Sequence, residues 1–219
     1  MVTCTCPAAT SLPDIPKYQC SENFGQIQKV AFQRLVKADG SKNYFAEKDL
    51  TSGILALAGW TPKLTAQDGT KIVISPYIQA PTSEAGSART FGGGNETLGG
   101  IEIVIGSEPS TFSASIYGAP QDVIKALKEL QCEAQAGNLG VYLFNENGNI
   151  AYIKSLIPMS GGPSEEGATP IPIRSLFISD KAFGGLEAPD TNAISWSFPP
   201  NWSDGLVIVK PKFNPLTDL

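Results

Sequence analysis

The chain has 219 residues, 42% apolar and 17% charged, with Lys+Arg 16 against Asp+Glu 21 for a formal charge of -5. That balance excludes a protein that grips nucleic acid through its phosphates, and the apolar fraction excludes disorder throughout. The sequence has no histidine, so the commonest general base and metal ligand is missing and a Ser-His-Asp triad cannot be built from this chain alone.

The length suits one well-buried domain with long loops or arms. Gly 22 and Pro 17, with so little charge, predict a β-rich chain with many turns and much surface covered by other chains. No apolar run approaches the roughly 20 residues that span a bilayer, and the start of the sequence lacks the regions of a signal peptide. The expectation is a cytoplasmic protein with no membrane partner and reduced cysteines.

Residues 1–25 hold Pro7, Pro13 and Pro16 with little periodicity, which predicts an extended N-terminal arm ahead of a single β-rich domain over 26–219. Residues 27–36 read as the first strand. Neither of its faces is purely apolar, which fits core on one side and a polar cavity or a partner on the other. After a turn at 38–41, Ile54, Leu55, Leu57 and Ala58 predict a short helix capped by Asp49 or Thr51, which Gly53 and Gly59 weaken. Residues 71–78 are strongly β-branched and read as a strand, with Pro76 placing it at an edge or a bulge. Residues 80–100 form a long irregular loop between strands, a hairpin extension in form, and such loops are functional or mobile. Strand resumes at 101–105.

Residues 110–157 are the best-patterned stretch. Residues 110–117 alternate small polar and apolar side chains, as a half-buried strand does. Gly118 ends the strand, Pro120 suits the first helical position, and Asp122 puts negative charge in the first turn. Val123, Ile124, Leu127, Leu130 and Ala134 recur at helical spacing, so one stripe faces a core. Gly137-Asn138 stops the helix. Residues 139–144 and 149–153 then form a hairpin around a turn carrying the Asn-Gly signal. A second loop is predicted over 158–169, followed by strands at 171–178, 193–198 and 206–209. The fold class is mainly β (α+β): a sandwich or barrel with one main flanking helix and long loops.

Chemistry is hard to find. The glycines at 92–94 lack a Gly-Lys-Ser/Thr ending and no helix follows them, so they read as loop rather than phosphate cradle. Cys4, Cys6, Cys20 and Cys132 form a thiolate set without recognised zinc spacing, so no metal and no cofactor are expected. Cys132 is expected near the buried side of its helix as a small apolar residue. Glu165, Glu166 and Asp180 offer carboxylates, but glycoside chemistry needs a defined separation across a cleft. Trp60, Trp196 and Trp202 suit packing better than a sugar platform. The chain does not read as an enzyme.

The strand from Phe112, the turn Ala119-Pro120-Gln121-Asp122, the helix from Val123 to Leu130, the hairpin through Val141-Tyr142-Leu143-Phe144-Asn145-Glu146-Asn147-Gly148 to Ile153 and the late strand Ala193-Ile194-Ser195-Trp196-Ser197-Phe198 resemble tail tube proteins of tailed bacteriophages. Leu12-Pro13-Asp14-Ile15-Pro16 with Gly25-Gln26-Ile27-Gln28-Lys29 is similar to the start of virion proteins from phages of Bacteroides-type hosts. The resemblance implies a virion protein assembled in the bacterial cytoplasm. It also implies hexameric rings with a β-barrel inner wall, stacked into a tube, with self and other virion proteins as partners. DNA would pass an acidic lumen without specific binding. The hairpin 80–100 would reach the next ring through Pro81, Glu84, Arg89, Phe91, Asn95, Glu96 and Leu98, and deleting 83–96 would spare folding and abolish tubes. A capsid decoration or head-tail connector protein is the alternative, and a surface glycan-binding module a third reading.

Overall fold

The structure, a computed structural model, describes residues 15–17, 23–47, 49–158 and 163–219. The elements in chain order are β1 (Ile27–Arg34), β2 (Phe45–Ala46), α1 (Leu57–Thr65), β3 (Ile72–Ile74), β4 (Gln79–Glu84), β5 (Ala88–Gly92), β6 (Glu102–Ser107), β7 (Ser110–Tyr117), α2 (Gln121–Gln135), β8 (Leu139–Asn145), β9 (Ile150–Ile157), β10 (Glu165–Thr169), β11 (Ile171–Ile178), β12 (Thr191–Phe198) and β13 (Leu206–Val209). The fold is mainly β. An 11-stranded antiparallel sheet follows the path β2-β10-β9-β8-β11-β12-β7-β4, with β1, β3 and β13 branching from it, and β5-β6 stand apart as a two-stranded ribbon.

The large sheet folds over on itself. Val30 and Phe32 of β1, Val141 and Leu143 of β8, Phe112 and Ile116 of β7, and Ile194 and Trp196 of β12 point into a common first core. Phe112 stacks on Trp196 at 4.1 Å between ring centroids. Helix α2 closes this core with Ile124, Leu127 and Ala134 buried and Val123 and Leu130 packed at its margin. Its end is a Schellman motif: Asn138 N–H bonds Glu133 C=O, Gly137 N–H bonds Ala134 C=O, and Gly137 takes φ +72.

The other face of β1 and β8 is covered as well. Every residue of β8 is buried, and Tyr142 and Phe144 join Ala31, Phe45, Ile54, Trp60, Ile150 and Tyr152 in a second core. Phe213, Leu216 and Leu219 lie against that core, and Lys29 Nζ donates to Leu216 and Leu219 carbonyl oxygens at 3.0 and 2.9 Å. The polar cavity or partner expected beside β1 is therefore replaced by this chain's own second core. The apolar run in β8 has the composition of a strand buried on both sides.

Three further expectations change. The short helix begins at Leu57 instead of Ile54, and Ala56, which provides no side-chain cap, precedes it. Asp49 instead holds the turn before it, accepting from Thr51 and Ser52 N–H at 2.8 and 3.0 Å. Gly59 is required by contact: a Cβ there would lie 2.2 Å from Ser52 O. Strand β3 stops at Ile74, two residues before Pro76. Part of the predicted 158–169 loop is strand β10, paired with β9 from Glu165↔Ile157 to Thr169↔Ile153. Most of the expected N-terminal arm lies outside the described residues.

Candidate assembly surface

Strands β4 and β7 pair from Gln79↔Ser115 to Glu84↔Thr111, and the ribbon of β5 and β6 continues them outward. The join is held by Glu108 N–H to Ser87 C=O at 2.8 Å and Ser87 Oγ to a Glu108 carboxylate oxygen at 2.8 Å. Residues 80–100 are thus about half strand, and the hairpin that β5 begins is completed by β6 beyond them. Its tip is shaped by Gly92, Gly93, Gly94, Gly99 and Gly100, all at positive φ. Thr97 Oγ1 ties the tip by accepting from Gly93 N–H and donating to Ile101 C=O. The glycine cluster makes a turn and is followed by a single 3-10 turn at Leu98–Gly100, so it is not a phosphate-binding helix start.

This arm has no shelter. Every residue of β6 is exposed. Phe91 stands opposite Ile103, and Thr90 opposite Val104, so apolar side chains occupy both faces of the ribbon. Phe91 is 55% exposed, Ile103 53% and Leu98 98%. An isolated two-stranded ribbon is marginal in water, and exposed β-branched strands with unpaired edges invite pairing with another chain. From Gly86 to the tip the arm holds about 30 Å of extended chain.

Pro81 and Glu84 lie on β4, Arg89 and Phe91 on β5, and Asn95, Glu96 and Leu98 around the tip; all but half-buried Pro81 are exposed. Five of the seven lie on the β5-β6 ribbon and its tip, whereas Pro81 and Glu84 belong to β4 of the large sheet. Sequence reasoning missed Ile101, Ile103, Val104 and Ile105, the most apolar part of that ribbon, because their pattern is also that of a core strand.

A second open surface is the outward face of the β7-β12 pair. Ser195 stands opposite Ser113, Ser197 opposite Thr111 and Ala193 opposite Ser115. From Thr111 to Ser115 the face carries small, uncharged side chains, and the exposed Tyr117 ends it opposite Thr191. Glu84 and Arg174 flank it on β4 and β11.

The remaining candidates do not converge on chemistry. Glu166 and Glu47 share the Lys154 ammonium at 3.1 and 3.2 Å, and Tyr152 donates to Glu47 at 3.0 Å, a network that joins β2, β9 and β10. Burial, then the Glu47 carboxylate, push the Tyr152 phenol up. Asp180 pairs with Lys128 of α2, which pulls its carboxyl down. Cys132 is exposed on α2 rather than near its buried side, and Cys4, Cys6 and Cys20 lie outside the described residues. Among the described residues no cluster of His, Cys, Asp or Glu could hold a metal ion, and no helix is long and apolar enough to cross a membrane. Trp60 and Trp196 are buried, and Trp202 stacks on Phe198 at 4.3 Å, which removes the exposed platform that a glycan module needs.

No family model matches the chain, and no curated protein does. Among solved structures, the tail of an empty GTA particle with C6 symmetry aligns over 61% of this chain and 81% of that one, at 11% identity and a TM-score of 0.31. Overlap at that level defines neither a shared fold nor a shared role.

Proposed function

We propose that the chain is a structural subunit that assembles with copies of itself into rings and a stacked tube, as its resemblance to phage tail tube proteins implies, and that the β5-β6 arm joins the copies. The observation that carries this reading is a β6 strand exposed along its whole length with apolar side chains on both faces. Burying such a ribbon against a neighbour contributes apolar area and pairs its edges at once. Free edge pairing along β4 itself is blunted by Pro81, which has no N–H, and by the bulge between Gln79 and Thr82.

In a tube, the face of Thr111, Ser113, Ser195 and Ser197 is the wall offered to passing DNA. The face is nearly free of charge, with the Arg174 guanidinium beside Ser197 and the Glu84 carboxylate beside Thr111 at its flanks, so phosphates find little to release counterions against. The test replaces residues 88–107 with an Asn-Gly turn, cutting where Glu108 N–H meets Ser87 C=O. This spares the β4-β7 pairing that removal of 83–96 would sever. The purified full chain is expected to form tubes by negative-stain electron microscopy, and the armless chain to stay folded and monomeric. A full chain that assembles only on capsids would make it a decoration or connector protein, and tubes from the armless chain would refute the arm's role.

A further inference from the structure

We propose that the groove between the open edge of β3 and helix α2 is the seat for the arm of a second copy. This rests on the self-assembly reading above and names the surface that receives the arm. Strand β3 pairs with β1 alone among the described strands. Ser75 N–H bonds Val30 C=O, and Phe32 pairs with Val73 in the same ladder, so antiparallel alternation turns the N–H and C=O groups of Ile72 and Ile74 away from β1. An extended chain can add to that edge.

Beside the edge lies a groove of about 680 Å³, with Phe32, Val73, Leu130 and Leu139 among its lining. The arm has the matching form: a thin ribbon with unpaired outer edges and the Phe91-Ile103 pair exposed on one face. One strand of it can extend β3 while alternate side chains fill the groove.

Charge points to the same occupant. Arg34 and Glu133 at the groove satisfy each other, and the Asp68 carboxylate accepts from the N–H and hydroxyl of Thr70. Lys71, Asp68 and Glu129 are without ion-pair partners among the described residues, and only Lys71 and Glu129 also lack such a local tie. The arm carries one unpaired cation and one unpaired anion on its strands, Arg89 on β5 and Glu102 on β6. Glu102 answers Lys71, and Arg89 answers Glu129.

The occupant must be another copy. From Lys71 the chain runs along β1 away from the groove, with Ile78 N–H on Gln28 C=O, and β4 carries on past Gly25 and Gln26 before the arm begins. In the single chain every residue of β6 is exposed, so the arm lies outside its own groove. Arm into groove is a head-to-tail contact, which closes into a ring or continues along a tube.

The test uses full-length Arg89→Glu, Glu129→Arg and the double variant, all changed at exposed positions. Each single reversal is expected to raise the concentration needed for assembly about tenfold, and the double to restore it. Amide exchange at Ile72 and Ile74 should slow at least about tenfold on assembly of the wild type. A wild type that stays monomeric overturns the self-assembly reading itself. A wild type that assembles while both single variants match it, or while Ile72 and Ile74 exchange at the monomer rate, overturns the groove alone. Failure of the double to recover overturns the pairing.

Discussion

Leu127→Asp and Ile103→Lys place a charge on two aliphatic positions with opposite consequences. Leu127 is 3% exposed in the first core, beneath α2. Truncating a buried leucine alone costs about 2–5 kcal/mol. The carboxyl adds a burial penalty whether it stays ionised or takes up a proton, so the total is about 5 kcal/mol or more, comparable with the whole stability of an ordinary domain. Ile103 already meets solvent over half its surface and touches chiefly its cross-strand partner Phe91. Its loss weakens the arm by about 1 kcal/mol, but the arm opens apart from the two cores, so the main transition should move by less than about 0.5 kcal/mol. Urea titration followed by tryptophan fluorescence is suited to this, because Trp196 reports the first core and Trp60 the second. Titrated below the concentration at which it assembles, the wild type should unfold in one coincident transition, and Leu127→Asp should be unfolded without urea. Ile103→Lys should match the wild type there yet fail to form tubes at higher concentration. A loss of more than about 2 kcal/mol in Ile103→Lys would show that the arm is part of the folded core and that separating folding from assembly is mistaken.

Two further outcomes follow from local strain and burial. Ala80 takes φ +49 in the β4 bulge, where a side chain is strained, so Ala80→Gly should raise the unfolding free energy by about 0.5–1 kcal/mol, read as a higher urea midpoint with the slope unchanged. Burial first, and then Lys37, lower the Lys63 ammonium from 10.5 to about 8. Between those values the unfolded chain holds a proton that the folded chain has lost, so stability rises with pH across that window by at most about 1.4 kcal/mol per unit. Lys63→Met should flatten this rise in denaturation midpoints measured from pH 7 to 10, and an unchanged slope would assign it to other groups.

Local pattern was a good guide wherever local chemistry decides. The α2 stripe, its Gly137 stop, the 145–148 turn and the alternation of β7 all stand where residue spacing places them. Tertiary contact decided the rest. Glu165-Glu166-Gly167-Ala168-Thr169 has little strand propensity and is a strand because β9 and β2 flank it. Gly53 and Gly59 look like helix breakers in isolation but are demanded by backbone packed within 2.2 Å of where a Cβ would lie. The assembly surface was half legible: a long hairpin with Phe91 and Leu98 near its tip could be seen, whereas Ile101, Ile103 and Ile105 could not be told from a buried strand. Periodicity reports how a strand is pleated, and only the neighbours decide whether its faces are covered.

The arm continues β4 and β7 without a flexible linker, and this gives the subunit a mechanical character. Tension applied at the tip runs along the axis of β7, whose whole length from Ser110 to Tyr117 is laddered to β12. A pull in that direction loads those hydrogen bonds side by side, as shear, instead of peeling them one at a time. From β12 the strain passes to β11, and through it to β8 at the centre of the sheet, where both faces are packed. A filament joined by such arms would resist stretching through its best-anchored strands, and bending would be taken up at the short joint of Ser87 and Glu108.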